Sequence, residues 1–249
     1  MNAARRYLVA IVALASTGCV ASLGAQGGTV ATSGPLAGLP IVEIPASPSA
    51  APRGDSGTIA IFISGDGGWA DVDEGISTEL AQNGIGVVGI NSRAYLAHRK
   101  TPEQAAADVV RIARVYLDRW HARRLVLAGY SRGADMMPFI ATRLPDDLRA
   151  HVALLAMFGL AREANFQFHW LDIIRDERRA DDRPVLPELE RLRGQRMLCV
   201  YGTKEKDSGC RDADPTLITR VARTGGHHFD GNFRALGDLV VGMLPRAAR

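Results

Sequence analysis

The sequence predicts an α/β fold with a mostly parallel central sheet and helices on both of its faces. Its 249 residues are 47% hydrophobic and 23% charged, which is the composition of one globular domain. From residue 58 onward, short apolar runs alternate with helical patterns, as in parallel strands joined by crossover helices. A serine between glycines connects one apolar run, Leu125–Ala128, to the next helix through a sharp turn.

The elements follow one another in a regular order. The strands are predicted at Thr58–Ser64, Ile85–Ile90, Arg124–Tyr130, His151–Met157, Arg196–Tyr201 and Thr219–Ala222. The helices are predicted at about Asp73–Asn83, Pro102–Trp120, Gly133–Arg143 and Asn232–Leu244. The charged segment Ala161–Arg193 lacks a clear strand pattern, so it is a candidate lid or substrate cap.

Residues 1–25 are predicted to be a signal peptide. Arg5 and Arg6 form its basic start, and the apolar stretch Tyr7–Ala15 is too short to span a bilayer. Cleavage near Ala25 would release a soluble periplasmic protein. Small residues also precede Cys19, so a lipoprotein signal that ends before a lipid-anchored Cys19 is the alternative.

Residues 26–53 are predicted to form a flexible tether, because glycine, alanine, serine and proline dominate them. The short apolar run Ile41–Ile44 is a candidate edge strand within that tether. The compact domain is then expected to cover residues 54–249.

The cysteines predict a disulfide. Once Cys19 is removed or lipidated, an exported chain keeps only Cys199 and Cys210, an even number in a compartment that permits disulfides. The alternative is one buried thiol at Cys199 and one exposed thiol at Cys210.

The charge of the chain limits its partners. The formal net charge is +3, and arginines are scattered along the sequence without a clustered basic run. This pattern argues against nucleic-acid recognition and is compatible with an anionic membrane surface.

The strongest functional signal is the run Gly129-Tyr130-Ser131-Arg132-Gly133, a G-x-S-x-G pattern between a strand and a helix. Only a sharp turn can lift the Ser131 Oγ clear of the sheet, and the flanking glycines allow the backbone segments to approach. This context predicts an α/β hydrolase in which Ser131 is the nucleophile.

A carboxylate that orients the catalytic base should follow the serine in the chain. Glu205 and Asp207 both lie in the loop after the strand Arg196–Tyr201. Asp207 is the preferred candidate because aspartate is more often used in this role. Glu205, at the more usual offset from the end of the strand, is the alternate.

The base is expected in the glycine-rich loop Gly225–Gly231, which contains two adjacent histidines. His228 is the preferred base because Phe229 follows it, as in the G-x-x-H-F arrangement of such loops, and His227 is the alternate. No H-x-x-x-H or C-x-x-C spacing accompanies them, so neither a metal site nor a cofactor is expected.

An oxyanion hole needs backbone N–H groups that point at the developing negative oxygen. Arg132, the residue after the nucleophile, is expected to supply one of them. The second donor is expected from Asp66 or Gly67, in the glycine loop after the first predicted strand.

Four motifs together resemble the VirJ/AcvB family of bacterial virulence proteins, which are α/β hydrolases. The resemblance spans nearly all of Gly57–Leu244. The motifs are Ser64-Gly65-Asp66-Gly67-Gly68-Trp69, Arg99-Lys100-Thr101-Pro102-Glu103-Gln104, Gly129-Tyr130-Ser131-Arg132-Gly133-Ala134-Asp135 and Gly226-His227-His228-Phe229-Asp230-Gly231.

The resemblance implies a periplasmic esterase that acts on aminoacyl-phosphatidylglycerol, with removal of lysine from lysyl-phosphatidylglycerol in AcvB-like members. Asp135 and Trp69 are the predicted substrate-binding residues, and Asp66, Asp71 and Asp73 are further candidates to meet a lysyl ammonium. Asp135 follows Ser131 by one helical turn, which places it near the active face.

Two other functions remain open. The same scaffold could hydrolyse another ester or a thioester. Alternatively, the chain could be an accessory component of an envelope secretion machine, since some VirJ-type proteins are associated with type IV transfer systems. The sequence leaves the oligomeric state open.

Overall fold

The computed structural model describes residues 29–30, 33–48, 57–167 and 181–244. The predicted signal peptide, the candidate lipid anchor Cys19 and residues 168–180 of the candidate cap lie outside this part of the chain. Among the described residues, no helix has the length and apolar character that a membrane span requires.

The core of the fold is one eight-stranded sheet. Its strands in chain order are β1 (Thr29–Val30), β2 (Pro40–Ile44), β3 (Thr58–Ile63), β4 (Gly86–Ile90), β5 (Arg124–Tyr130), β6 (Val152–Phe158), β9 (Met197–Gly202) and β10 (Thr219–Arg223). Two short strands between β6 and β9, β7 (Glu163–Ala164) and β8 (Arg183–Pro184), form a separate antiparallel pair. The spatial order of the main sheet is β1-β2-β4-β3-β5-β6-β9-β10. The six neighbouring strands β4, β3, β5, β6, β9 and β10 are parallel.

Helices cover both faces of this sheet, as predicted. They are α1 (Asp71–Gln82), α2 (Ser92–Tyr95), α3 (Pro102–Arg119), α4 (Arg132–Ala141), α5 (Asp146–Arg149), α6 (Leu186–Arg191), α7 (Gly209–Asp212) and α8 (Phe233–Met243). Helices α3 and α4 pack on one face, and α1 and α8 pack on the other. Alternate residues of β3 therefore enter opposite layers: Ile61 lies with the first pair of helices and Phe62 with the second.

The predicted α/β fold is confirmed, and the boundaries of the main elements agree within about two residues. Local chemistry accounts for one of them. At the start of α3, the Thr101 hydroxyl accepts a hydrogen bond from the Gln104 N–H at 3.2 Å, and the Gln104 side chain accepts one from the Thr101 N–H at 2.9 Å. This capping box satisfies two backbone donors that no helical carbonyl can reach.

Two sequence interpretations need correction. The candidate edge strand Ile41–Ile44 is present as β2, which pairs antiparallel with β4, but the segment interpreted as a flexible tether also contributes β1 to the sheet. Leu39 and Ile41 are buried, so packing begins before residue 54. The candidate cap also contains the strand pair β7–β8 and helix α6, although its sequence shows no strand pattern.

Cys199 on β9 and Cys210 on α7 form a disulfide, as predicted. Both residues are completely buried. The bond closes the loop that connects β9 to α7, and such a disulfide is consistent with an exported protein.

Candidate active site

Ser131 lies at the sharp turn between β5 and α4, at the carboxyl edge of the sheet. Its φ of 52° and ψ of −123° are a strained conformation for a residue other than glycine. The two flanking glycines are required by close packing. A Cβ on Gly129 would collide with the backbone of Gly133, and one on Gly133 would collide with the Ile63 carbonyl oxygen.

His227 joins Ser131 to Glu205. Its Nε2 lies 2.8 Å from the Ser131 Oγ, and its Nδ1 lies 2.5 Å from the Glu205 Oε1. An ionised carboxylate can only accept a hydrogen bond, so Nδ1 carries the proton and Nε2 is left to accept the serine hydroxyl. The three side chains thus form the hydrogen-bonded series that a serine nucleophile needs.

The preferred assignments of the sequence analysis, His228 and Asp207, do not fit this geometry. The His228 Nδ1 lies 3.0 Å from the Tyr130 hydroxyl. The side chain of Asp207 is 87% exposed and forms an ion pair with Arg162 at 3.0 Å. The alternates His227 and Glu205 occupy the positions next to Ser131.

A tight turn explains why the glutamate is selected. The Glu205 N–H donates to the Gly202 carbonyl at 3.0 Å, and the Gly202 N–H donates to the Glu205 Oε2 at 2.5 Å. This turn folds the longer glutamate side chain back toward the end of β9, whereas Asp207 lies beyond the turn and points into solvent.

Backbone hydrogen bonds join the loop after β9, which carries Glu205, to the end of β10 and the loop that carries His227. The Thr203 N–H donates to the Arg223 carbonyl at 2.7 Å, and the Lys204 N–H donates to the Gly225 carbonyl at 2.9 Å. Gly159 packs so closely on the imidazole that a Cβ there would lie 2.6 Å from the His227 Cε1. The position of His227 therefore depends on contacts from distant parts of the chain.

The pKa values of Glu205 and His227 are shifted so that the Glu205 carboxylate is charged. Burial raises the pKa of Glu205, but hydrogen bonds from His227 and the Gly202 N–H outweigh it and the net pKa is lowered. Burial lowers the pKa of His227, but the hydrogen bond and charge of Glu205 outweigh it, and the net pKa is raised. Each group thus stabilises the charged form of the other.

The glycine loop Gly65–Gly68 lies against the nucleophile turn. A Cβ on Gly65 would lie 2.9 Å from the Tyr130 ring and 3.4 Å from the Ser131 Cβ. The Ser92 hydroxyl donates to the Gly65 carbonyl at 2.5 Å and holds the base of the loop. Asp66 and Gly67 are therefore near the nucleophile, and their N–H groups remain the predicted oxyanion donors together with that of Arg132.

Sequence reasoning missed an ion pair at this loop. The Arg132 Nε and Nη2 both donate to the Asp66 carboxylate, the second at 3.2 Å from Oδ2. Because 65 residues separate the two in the chain, no local pattern could have indicated the contact.

Of the predicted substrate-binding residues, some are buried in the core and one lies near the site. Trp69 is 8% exposed and packs against Phe62, so most of its ring belongs to the core. Asp73 is also buried, where its carboxylate accepts the Ala70 N–H at 3.0 Å and caps α1, so it does not face a substrate. Burial raises the pKa of Asp73 to about 7.

Asp135 remains near the site. Part of the residue is exposed, and its carboxylate accepts the Ala161 N–H at 2.7 Å. Burial of the carboxyl group raises its pKa to about 8 despite that hydrogen bond. A nearby cation would favour the ionised form. In the part of the chain that the structure describes, no three His, Cys, Asp or Glu residues are grouped as metal ligands.

Comparison with known proteins identifies a family and a carboxylesterase relative. A family model described as "Bacterial virulence protein (VirJ)" matches residues 57–248. The carboxylesterase Culp1 of Mycobacterium tuberculosis is 29% identical over 134 residues, which cover 49% of this chain and 59% of that protein. The match thus spans about three fifths of the length of this curated relative.

Solved structures share the fold at low sequence identity. An α/β serine hydrolase without a lid from Xanthomonas campestris has a TM-score of 0.55 and 16% identity, and the match covers 86% of this chain and 94% of that one. A type II thioesterase of the borrelidin biosynthetic cluster has a TM-score of 0.54 and 15% identity, with 84% and 97% covered. The chain thus has the fold of the α/β serine hydrolases.

Proposed function

The chain belongs to the bacterial virulence protein (VirJ) family, and we propose that it is a serine esterase of the bacterial periplasm. Ser131 is the nucleophile, His227 is the general base, and Glu205 orients the imidazole. The observation that carries this proposal is the continuous series of hydrogen bonds from Ser131 through His227 to Glu205, at 2.8 and 2.5 Å.

The reaction follows from these positions. The Ser131 Oγ attacks the ester carbonyl carbon while its proton passes to the His227 Nε2, and the negative carbonyl oxygen is stabilised by the backbone N–H groups of Arg132 and of Asp66 or Gly67. The tetrahedral intermediate breaks its bond to the leaving alcohol, which takes the proton from His227. Water then attacks the acyl-serine by the same route and releases the acid.

We propose that the substrate is the aminoacyl ester of aminoacyl-phosphatidylglycerol, with lysine as the amino acid. Asp135 is the group that supports a cationic acyl part, because its carboxylate lies close to the site and accepts a hydrogen bond from the backbone N–H of Ala161. A lysyl ammonium would shift Asp135 toward its ionised form. The mildly basic chain suits an anionic phospholipid surface.

The test is hydrolysis by the purified mature protein. Vesicles that contain lysyl-phosphatidylglycerol should release free lysine, and Ser131→Ala should abolish this release. Asp135→Asn should slow lysine release more than it slows hydrolysis of the neutral ester p-nitrophenyl butyrate. Equal slowing of both substrates would contradict the role of Asp135.

Other outcomes identify the alternatives. If the protein hydrolysed p-nitrophenyl butyrate or a thioester but released no lysine, the proposal of a serine hydrolase would stand. The proposal of a phospholipid substrate would be wrong. If no ester or thioester were hydrolysed and Ser131→Ala still supported a type IV secretion system in cells, the chain would be an accessory component of that system.

A further inference from the structure

We propose that the ion pair between Asp66 and Arg132 holds the two sides of the oxyanion hole at a fixed separation. The two side chains would then be positioning residues. This inference rests on the proposed esterase function, and it concerns a contact that the reaction steps above do not use.

The geometry of the pair is suited to this task. Arg132 donates through two nitrogens to the two oxygens of Asp66, and its third nitrogen, Nη1, lies 3.4 Å from the Gln167 carbonyl oxygen. The side chain of Arg132 is 11% exposed and that of Asp66 is 33% exposed. A two-point contact between a planar guanidinium and a carboxylate restrains orientation as well as distance.

The pair connects the same two residues whose backbones bound the expected oxyanion hole. One N–H belongs to Arg132 itself, at the start of α4, and the other belongs to the loop of Asp66 and Gly67. These segments come from different strands of the sheet. The ion pair is thus a direct link between the two halves of the hole.

Among the residues that the structure describes, the hydrogen bonds that hold the glycine loop lie at its base. Its base is held by the Ser92 hydroxyl on the Gly65 carbonyl, at 2.5 Å, and by the Gly68 N–H on the same carbonyl, at 3.0 Å. At Gly67, by contrast, an added Cβ would meet no atom within 4 Å. The ion pair of the Asp66 side chain therefore adds a restraint at the exposed tip of the loop, beyond the hydrogen bonds at its base.

Loss of the pair should weaken stabilisation of the transition state more than binding of the ester. Removal of a whole oxyanion donor costs about a hundredfold to a thousandfold in kcat. A loosened donor should cost less, so we expect Asp66→Asn and Arg132→Gln each to lower kcat about tenfold to a hundredfold, with KM changed less than about threefold.

A change in charge alone must be separated from a change in position. The charge of Asp66 is one of the factors that raise the pKa of His227. Loss of that charge would move the pH profile without lowering its plateau. Loss of positioning lowers the plateau itself, so kcat is measured at pH values above the titration of His227.

The experiment compares wild type, Asp66→Asn, Arg132→Gln, their double variant and Arg132→Lys on p-nitrophenyl butyrate, with folding checked by circular dichroism. The control is Arg119→Gln, which removes an exposed ion pair with Glu43 at the opposite end of β5 from Ser131. Binding of a boronic acid, whose tetrahedral adduct carries an oxyanion-like oxygen, is measured for each.

We expect both single variants to lose plateau kcat and boronic acid affinity in parallel. The double variant should be no more than about threefold worse than either single variant, because the two residues act as one unit. Arg132→Lys should lose part of the activity, and Arg119→Gln should match wild type. If one single variant does not fold, the plateau kcat and boronic acid affinity of the other single variant and of Arg132→Lys test the inference.

Wild-type plateau kcat in folded Asp66→Asn or Arg132→Gln would overturn the inference, and so would losses that multiply in the double variant. A failure of the proposed function looks different. In that case wild type itself would show no turnover that depends on Ser131, and the inference would fall with it.

Discussion

The nucleophile turn and the two loops that carry Glu205 and His227 hold their side chains in different ways. Ser131 is positioned by its own neighbours, because Gly129 and Gly133 press the turn against central strands with no room for a Cβ. His227 is positioned by hydrogen bonds and contacts between loops that follow β9 and β10, near one edge of the sheet. Changes in the turn should therefore disturb folding, whereas changes in the loops should disturb catalysis.

The largest expected effect lies in the loops. His227→Ala should lower kcat about a millionfold, as much as Ser131→Ala, because members of a hydrogen-bonded catalytic unit fail together. His228→Ala removes the hydrogen bond to the Tyr130 hydroxyl and a ring contact with His227 but no member of the hydrogen-bonded series, so it should cost about tenfold or less in kcat. Steady-state kinetics on p-nitrophenyl butyrate measure both. An inactive His228→Ala beside an active His227→Ala would reverse the assignment.

The second largest effect on kcat is expected at Glu205, the carboxylate that orients His227. Glu205→Gln keeps the shape of the side chain but removes the charge that holds the imidazolium, so kcat should fall about ten-thousandfold. Asp207→Asn is the matched control in the same loop, and it should stay within about threefold of wild type because its partner is the exposed Arg162. Equal losses in both variants would contradict the assignment of the acid.

In the nucleophile turn, the expected effect is on stability. Gly133→Ala places a methyl group against the Ile63 carbonyl, so α4 must move away from β3, and the free energy of unfolding should fall by about 3 kcal/mol. Gly226→Ala, in the histidine loop, meets no atom within 4 Å and should cost less than about 1 kcal/mol. Urea denaturation compares the two, and equal losses would remove the distinction between turn and loops.

The pH dependence of activity should show a smaller effect. The net pKa of His227 is raised above its ordinary 6.5, so activity should rise with pH through a midpoint above that value as the imidazole loses its proton. In Glu205→Gln the supporting charge is gone, and the midpoint should move to lower pH. A midpoint that is the same in the two proteins would show that Glu205 does not act on His227.

The same pair should make a modest, pH-dependent contribution to stability. The raised pKa of His227 favours folding fully below 6.5, and this contribution is lost as pH rises through the folded-state pKa. The lowered pKa of Glu205 favours folding above 4.5, and this contribution is lost as pH falls. Wild type should therefore exceed Glu205→Gln in melting temperature most between about pH 4.5 and 6.5. A constant difference across pH would contradict the coupling.

Local patterns in the sequence determined the α/β fold, the strand-turn-helix context of Ser131 and the cysteine pair. Period-two and helical patterns specify which face of an element is apolar, and the G-x-S-x-G turn is specified by steric limits within five residues. The apolar run Ile41–Ile44 indicated its strand, but residues 33–40 were misjudged because their glycine- and proline-rich composition resembles a linker, although Leu36 and Leu39 pack in the core.

Only the tertiary structure decided between His227 and His228 and between Glu205 and Asp207. Adjacent residues in a loop point in different directions, and the backbone torsions that select one of them depend on Gly159, Gly202 and Gly225, which come from three separate segments. The Asp66–Arg132 pair has the same origin, because it joins residues that only the order of strands brings together. Side-chain contacts between distant segments have no periodicity along the chain, and for that reason the sequence alone could supply the candidates without choosing among them.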